Sequence, residues 1–199
     1  CLVNDGSTDD SLAILRRHAQ RDLRWQVIEQ PNAGAPSAVN AALARMPDDA
    51  FAVAFCDSDD LWLPTKLAAQ LAAAQEVFAA DAFVAEWCIG TLVEEFEDFP
   101  ADVAQTHRAR TEAQRAILRS NALISKGLVE ALGPMDPDQR FADFIEWVAP
   151  AIRKGISIQY VPEVLVRRRI HGANMTASVQ HSAYLETLRR HIHAKRGRK

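Results

Sequence analysis

Cysteine is scarce in this sequence, and its placement argues against disulfide or zinc chemistry. The three cysteines, Cys1, Cys56 and Cys88, form no CxxC pair, and no histidine is spaced from them to complete a zinc site. We therefore expect neither a disulfide nor a zinc role. Cys56 and Cys88 are interpreted as small apolar residues packed in strands.

Long apolar runs are lacking as well. No segment approaches the roughly 18 apolar residues that cross a bilayer, and the N-terminus lacks the basic, apolar and small-residue order of a signal peptide. Internal repeats and low-complexity linkers are also absent. With 48% hydrophobic and 25% charged residues among 199, the composition predicts a single α/β domain in a cytoplasmic protein.

Positive charge is concentrated at one end of the chain. The net charge is −3, yet the last eleven residues, RRHIHAKRGRK, contain six Lys or Arg and no acid. We interpret residues 180–199 as a basic, solubilising helix or tail, with a peripheral contact to an anionic membrane surface as the alternative. No nucleic-acid partner is expected.

An initiator methionine is absent, and the opening CLVND has the pattern of a strand that runs into a turn. We expect that a first strand and helix precede Cys1. A mature lipoprotein cysteine is the alternative, which the lack of an acyl-anchor linker disfavours.

Apolar and polar segments alternate along the first half of the chain in the order β-α-β-α-β-α-β. This order predicts a doubly wound, mainly parallel sheet flanked by helices, in which ligands bind beyond the C-terminal ends of the strands. The run FAVAFC at 51–56 is typical of a strand buried on both faces. Residues 94–115 interrupt the alternation and predict an acceptor-binding or lid segment, or a solvated insertion. Further strands and helices follow, with a terminal helix from about Ala183.

An unusual density of acid follows the FAVAFC strand. Asp57, Asp59 and Asp60 repel one another at this spacing, and a bound divalent cation would relieve the repulsion. Carboxylate oxygens favour Mg²⁺ or Mn²⁺. An EF-hand does not fit because Leu61 stands where a ligand is needed. An acidic helix cap is the other interpretation, but it needs one Asp and not three.

Asp5 occupies the equivalent place after the first strand and precedes a glycine turn. A parallel sheet would bring Asp5 to the same edge as Asp57. The sequence therefore predicts one site built from two acidic turns, although Asp5 alone would be an ordinary turn residue.

Three blocks in this order, NDGSTDDS, QPNAGAPSAVNAAL and FCDSDDLWLPTKLAAQ, closely resemble glycosyltransferase family 2, the inverting nucleotide-sugar transferases of GT-A fold. The resemblance implies one GT-A domain over residues 1–179, with a nucleotide-binding half (1–93) and an acceptor half (94–179). It also implies a nucleotide-diphosphate sugar as donor, most often a UDP-sugar, and Mn²⁺ or Mg²⁺ as cofactor.

The resemblance also assigns roles to residues of the donor site. Asp5 matches the acid that binds the nucleotide base, Asp57 the acid near ribose and metal, and Asp59 the principal metal ligand. His171 matches a ligand of metal or diphosphate, Val39 replaces a common Arg, and the role of Asp60 is less certain. The remaining donor-binding positions implied are Gly6, Ser7, Asn32, Gly34, Asn40, Ser58 and Arg169, with Arg167 as the alternative to Arg169.

The segment FADFIEW aligns with the late acidic motif of the family. The resemblance makes Asp143 the general base for the acceptor hydroxyl, with Glu146 one helical turn later as the second candidate. Ala142 replaces the usual Glu. A solvated helix face is the alternative interpretation of these two acids.

Together these features predict a metal-dependent inverting glycosyltransferase whose acceptor, a glycan, a lipid-linked molecule or a protein, is not encoded in any firm pattern. A non-catalytic nucleotide-sugar-binding domain is one alternative, because Val39 and Ala142 depart from the family. A nucleotidyltransferase is another, disfavoured because no glycine- and Arg-rich phosphate loop is visible.

Overall fold

The computed structural model describes residues 1–78, 87–96, 113–139, 142–156 and 158–171. The expected terminal helix, the basic tail and the centre of the 94–115 segment lie outside these residues. Within them, no helix is long and apolar enough to cross a membrane. The elements in chain order are β1 (Leu2–Asp5), α1 (Ser11–Ala19), β2 (Val27–Gln30), α2 (Ala35–Leu43), β3 (Ala52–Ala54), β4 (Asp60–Trp62), α3 (Lys66–Phe78), β5 (Trp87–Phe96), β6 (Gln114–Arg115), a 3₁₀ turn (Arg119–Asn121), β7 (Ala122–Ser125), α4 (Lys126–Leu132), α5 (Asp143–Arg153) and β8 (Ile158–Ile170).

The chain divides into two compact units, and their boundaries differ from the predicted halves. Unit 1 comprises Cys1–Ala50 and Leu132–Trp147. Unit 2 comprises Phe51–Ala131 and, among the described residues, 148–171. Each unit therefore takes residues from both the predicted nucleotide-binding half and the predicted acceptor half.

Unit 1 is built on a parallel pair of short strands. β1 and β2 pair from Leu2 opposite Val27 to Asp5 opposite Gln30, with α1 as the crossover. This confirms the first predicted β-α-β segment. Helix α2 begins after Gly34, whose φ of +90° suits glycine, and Pro36 lies buried in its first turn.

The second segment of unit 1 packs through aromatic side chains. Phe144 and Trp147 are buried at the start of α5, and their ring centroids lie 6.0 Å apart. The indole Nε1 of Trp147 donates to the Gly133 carbonyl at 2.8 Å. This bond ties the helix to the turn that follows α4.

Unit 2 contains a sheet in the order β3-β7-β5-β8-β4, with β6 paired to β5. The α/β class is confirmed, and the strand directions differ in detail from a mainly parallel sheet. In unit 2 β5 and β8 are parallel, whereas the other described pairs are antiparallel. Since β1 belongs to a separate described sheet, the expectation that Asp5 and Asp57 end strands of one sheet is not met.

The FAVAFC strand is shorter and less buried than predicted. β3 covers Ala52–Ala54 at the end of the described sheet, and Phe51 is 56% exposed. An end strand lacks a second neighbour to cover it, which explains the partial burial among the described residues.

One long strand, β8, forms near the end of the described residues. β8 passes through Pro162, and its register against β5 shifts on either side of Thr91. The Thr91 hydroxyl is within hydrogen-bond distance of the Val161 and Pro162 carbonyls at 3.2 and 3.0 Å. This irregularity accommodates a proline that cannot donate to the ladder.

The core of unit 2 lies between β5, β7 and β8. Gly90 makes close packing possible there, because a Cβ on Gly90 would stand 2.4 Å from Leu165 Cδ1. The buried core side chains are Leu92, Leu123, Val161, Leu165 and Val166.

Candidate functional site

The Asp5 carboxylate binds the loop that connects β2 to α2. Its Oδ1 accepts hydrogen bonds from Gln30 Nε2 at 2.7 Å and from the Ala33 amide at 2.9 Å. Its Oδ2 accepts from the Gly34 amide at 2.8 Å. Both oxygens therefore orient backbone at the start of α2, and the contact of Asp5 with a nucleotide base stays a prediction.

Gly6 and Asn32 bring the two loops of this site together. The φ of Gly6 is +69°, and a Cβ there would stand 2.6 Å from the Asn32 backbone nitrogen. The Asn32 side chain donates to the Asp5 carbonyl at 3.0 Å. Ser7, another predicted donor-binding residue, is exposed beside them.

Asn40 has a structural contact that the resemblance does not imply. Its Nδ2 donates to the Met135 carbonyl and its Oδ1 accepts from the Met135 amide, both at 2.8 Å. The amide thus pairs with the backbone of one residue through both polar atoms. We interpret Asn40 as the residue that joins α2 to the 133–139 loop within unit 1.

Asp57, Asp59 and Asp60 lie in a tight turn of unit 2, residues 57–60, which we call the acidic turn. The Asp60 amide donates to the Asp57 carbonyl at 3.1 Å, which closes the turn, and Ser58 is exposed within it. Asp60 then begins β4, which pairs with β8 so that Asp60 lies opposite Arg168. This short strand was not predicted, because three residues with two of them polar or aromatic carry no clear periodicity.

Asp57 is held by the 3₁₀ turn. Its Oδ1 lies 2.7 Å from Arg119 Nε, and the Arg119 side chain is 13% exposed. The Asp57 amide donates to Ser120 Oγ at 2.9 Å. The structure thus gives Asp57 a cationic protein partner, and its predicted role as a metal ligand stays a prediction.

Asp59 and His171 are brought together from distant parts of the chain. His171 Nε2 lies 3.5 Å from Asp59 Oδ2, and both side chains are about one-third exposed, at 30% and 35%. The pairing of β4 with β8 produces this contact, because His171 directly follows β8. Asp59 and His171 are two of the three residues that the resemblance implies at the metal, and Asp57 is the third.

Asp60 has a perturbed acidity. Burial, followed by the charges of Asp57 and Asp59, raises the pKa of Asp60 to about 6, against a hydrogen bond from Ser120 and the charge of Arg168. Its Oδ1 atom is buried and has no hydrogen-bond partner among the described residues. Burial of the Asp60 carboxyl therefore favours its protonated form.

The same environment affects Cys56. Desolvation, with the neighbouring carboxylates of Asp60 and Asp57, raises the pKa of the Cys56 thiol to about 11. The thiol contacts the carbonyls of Asp57 and Asp60 at 3.6 and 3.9 Å. A thiol in this state is a weak nucleophile at neutral pH.

A buried lysine lies behind the acidic turn and was not predicted. Lys66 is 1% exposed, its Nζ donates to Gln70 Oε1 at 2.7 Å, and it lies 4.3 Å from the Trp62 ring centroid. Gln70 in turn donates to the Asn121 carbonyl at 2.9 Å. The spacing of Lys66 and Gln70 on an alanine-rich helix is a signal that was available in the sequence.

The arginines of β8 are divided between the faces of the strand. Arg168 lies opposite Asp60, and Arg167 lies opposite Leu61. Arg169, predicted to neutralise the diphosphate, is half-buried, whereas its alternative Arg167 is exposed. Adjacent residues of a strand point to opposite faces, so Arg167 and Arg169 share one face.

The two candidate bases lie in the first turn of α5, in unit 1. Asp143 Oδ1 accepts from the Phe144 amide at 2.8 Å, and the Glu146 amide donates to the Ala142 carbonyl at 2.9 Å. Ala142 has a φ of +52°, which is uncommon for a residue with a Cβ. The carboxylates are three residues apart on one helical face, as expected.

A magnesium or manganese site at Asp59 and His171 stays a prediction. Two ligands at right angles on such an ion, each with a bond of about 2.1 Å, lie about 3 Å apart, and Asp59 and His171 approach this separation at 3.5 Å. No group of three or more His, Cys, Asp or Glu side chains suited to a metal is found in the described residues. The protein would thus supply few ligands, as is usual where substrate phosphates complete the coordination.

Sequence comparison matches the first part of the chain to a known family. The family described as Glycosyl transferase family 2 matches residues 1–79. The uncharacterized glycosyltransferase YibD of Escherichia coli (strain K12) is 32% identical over 102 residues, which are 51% of this chain and 29% of YibD. Chondroitin synthase of Escherichia coli is 41% identical over 64 residues, 32% of this chain and 9% of that protein. The chain thus spans less than a third of either relative.

Structural comparison extends further along the chain. The crystal structure of S. aureus TarS 1-349 in complex with UDP matches with a TM-score of 0.61 at 16% identity, over 85% of this chain and 50% of that one. A second structure of TarS 1-349 matches with a TM-score of 0.60 at 18% identity, over 84% of this chain and 50% of that one. At such identity the likeness shows the fold alone, and it supports the predicted GT-A architecture.

Proposed function

We propose that this chain is part of an inverting glycosyltransferase, because its residues 1–79 match the family described as Glycosyl transferase family 2. It would transfer a sugar from a nucleotide-diphosphate sugar, in the first instance a UDP-sugar, to an acceptor hydroxyl. The glycosyltransferase relatives and the UDP complex of the TarS neighbour support this choice of donor. The acceptor class, whether glycan, lipid-linked molecule or protein, remains open to assay.

The observation that carries the proposal is the contact of Asp59 with His171. These residues are far apart in sequence, and the pairing of β4 with β8 places Nε2 of the histidine 3.5 Å from Oδ2 of the acid. Both side chains remain partly exposed, so a ligand can reach them. A purely structural ion pair would not need to stand beside two further carboxylates.

Asp59 and His171 would hold the divalent cation, Mn²⁺ or Mg²⁺. When bound, the cation would supply charge neutralisation for the leaving diphosphate. Arg169, in β8 near His171, would add a fixed positive charge to the same task. Asp57, which Arg119 already neutralises, would accept a hydrogen bond from the donor.

The displacement needs a base on the acceptor side. As the acceptor oxygen forms its bond to C1 of the sugar, the bond from C1 to the diphosphate oxygen breaks and the configuration at C1 inverts. We propose that Asp143 accepts the proton of the acceptor hydroxyl as the general base, with Glu146 as the second candidate. The Phe144 amide donates to Asp143 Oδ1 at 2.8 Å and so orients this carboxylate.

The test is turnover of a panel of UDP-sugars with Mn²⁺, measured as released UDP, in the wild type and in Asp59→Asn. We expect the substitution to lower metal-dependent turnover at least about a hundredfold, because it removes a negatively charged ligand of the cation. Asp49→Asn, at an exposed position of unit 1, is the matched control and should leave turnover unchanged. Full activity of Asp59→Asn would contradict the proposal.

A second measurement separates an enzyme from a binding domain. Thermal shift with each UDP-sugar, with and without Mn²⁺, reports binding to the folded state independently of turnover. Binding without any turnover in the wild type would favour the non-catalytic alternative. Asp143→Asn should preserve the thermal shift and lower turnover, because its proposed role is proton transfer and not donor binding.

For residues 180–199 we keep the interpretation of a solubilising tail, and peripheral contact with an anionic membrane surface is the alternative. Co-sedimentation with vesicles containing phosphatidylserine, compared between the whole chain and one ending at residue 179, tests this. Equal sedimentation of the two chains would contradict it.

A further inference from the structure

The 3₁₀ turn Arg119–Asn121 belongs to none of the sequence blocks, yet it holds the acidic turn from one side. We propose that Arg119 and Ser120 are positioning residues, which fix Asp57 and the turn around it so that Asp59 meets His171 in one geometry. This inference rests on the proposed function, since the geometry matters because of the cation that Asp59 and His171 would share.

The first contact is between charged groups. Arg119 Nε lies 2.7 Å from Asp57 Oδ1, and the guanidinium is largely buried. A charge-assisted hydrogen bond of this length restrains the carboxylate more than a neutral one would. Because Asp57 is two residues from Asp59 in a closed four-residue turn, the orientation of one limits that of the other.

Ser120 makes the second set of contacts, with the first residue of the acidic turn and with the last residue of β4. Its hydroxyl accepts from the Asp57 amide at 2.9 Å, and its carbonyl accepts from Trp62 Nε1 at 3.0 Å. Ser120 is 1% exposed. The entry to the acidic turn and the end of β4 are thus attached to the same buried residue.

The 3₁₀ turn is itself anchored in the core of unit 2. Asn121 is fully buried, and its Nδ2 donates to the Gly90 and Ala116 carbonyls at 2.6 and 3.2 Å. Gln70 donates to the Asn121 carbonyl. The contacts therefore connect the acidic turn to α3 and β5, which makes the support rigid.

Losing a contact that orients a metal ligand has a typical effect on metal affinity. Substitution of the residues that orient metal ligands lowers metal affinity by about 10–100-fold. Arg119 also neutralises one of three neighbouring carboxylates. Substitution of Arg119 therefore increases the repulsion among these carboxylates, which move apart. We therefore expect a local loosening of residues 57–60 together with weaker cation binding.

The experiment compares Arg119→Met, Arg119→Lys and Ser120→Ala with the wild type. Arg24→Met is the matched control, because Arg24 forms an ion pair with Asp22 at 2.6 Å but is 90% exposed. Hydrogen–deuterium exchange of the peptide covering 56–62 reports the turn without any ligand. Electron paramagnetic resonance of free Mn²⁺, titrated in the presence of UDP, reports cation affinity without turnover.

We expect Arg119→Met to speed exchange in 56–62 at least about fivefold and to weaken Mn²⁺ binding about 10–100-fold, with thermal stability close to the wild type. Arg119→Lys should recover part of both losses, since it restores the charge without the planar contact. Ser120→Ala should change exchange at Asp57 most. When Arg119→Met is added to Asp57→Asn, exchange in 56–62 and Mn²⁺ affinity should change little further, because Arg119 acts through Asp57.

Two outcomes would overturn the inference. One is unchanged exchange in Arg119→Met; the other is faster exchange with unchanged Mn²⁺ affinity. If the wild type itself binds no Mn²⁺ with UDP, the metal-dependent function fails, and exchange alone then decides whether Arg119 holds the turn. If Arg119→Met unfolds, Arg119→Lys and Ser120→Ala carry the same comparison.

Discussion

Two carboxylates of similar sequence context, Asp5 in unit 1 and Asp57 in unit 2, are held in different ways. Asp5 accepts from neutral donors, namely the Gln30 amide and two backbone amides. Asp57 contacts a guanidinium. Neutral donors fix the backbone around Asp5 and are insensitive to salt, whereas the Asp57 contact is electrostatic. The comparison indicates that the first acid mainly organises a loop and that the second belongs to a charged site.

The largest expected effect on stability is at Gly6, which follows Asp5. Gly6→Ala should lower the free energy of unfolding by about 2–4 kcal/mol, because it adds a strained φ and a contact with the Asn32 backbone. Chemical denaturation measures this. Gly133→Ala is the matched control, since Gly133 has a φ of +70° with nothing within 4 Å of the added Cβ, and it should cost about 1–2 kcal/mol. Equal losses would show that the close approach contributes nothing.

Asparagine substitutions test the two acids directly. Asp5→Asn should destabilise by about 1–3 kcal/mol, because an amide nitrogen cannot accept from the Ala33 or Gly34 amide. Asp57→Asn should cost less than about 1 kcal/mol, because its carbonyl oxygen still accepts from Arg119. The effect at Asp57 should shrink in 1 M salt and the effect at Asp5 should not. The opposite salt dependence would contradict the comparison.

The pH dependence of folding stability tests the environment of Asp60 in the charged site. Its pKa is raised to about 6 in the folded state from 3.8, so the folded state binds the proton more tightly. The wild type therefore loses stability as pH rises from about 4 through 6. In chelator, Asp60→Asn should match the wild type at pH 4 and exceed it at pH 8, by about 1 kcal/mol after allowance for the partial exposure of the carboxyl. A constant difference across this range would exclude the assigned cause.

The smallest expected effect is at Cys56. With its pKa raised to about 11, the thiol should react with iodoacetamide at pH 8 at least about tenfold more slowly than an unperturbed thiol. Peptide mass spectrometry can follow Cys56 and Cys1, which are both exposed, in one sample. Asp60→Asn should accelerate the Cys56 reaction, because it removes a neighbouring charge. Equal rates for Cys56 and Cys1 in the wild type would contradict the assignment.

Much of the local structure was predictable from the sequence. The elements β1, α1, β2, α2, β3 and α3 follow one another in the predicted alternation of strands and helices. The β4 strand and the two-unit division were not predictable, because three residues carry no period and unit 1 joins segments distant in the chain. The role of Asn40 was missed for a similar reason, since its partner Met135 follows 95 residues later.

Local spacing and residue chemistry were enough to predict the residue types of the candidate site, the order of the first strands and helices, and the likeness of residues 1–79 to Glycosyl transferase family 2. The contacts of each acid depend on the tertiary structure: Asp59 meets His171, Asp57 meets Arg119, and the half-buried Asp60 has a buried Oδ1 atom with no hydrogen-bond partner among the described residues. Strand pairing and burial bring these groups together over long sequence separations, and neither leaves a periodic signal in the chain.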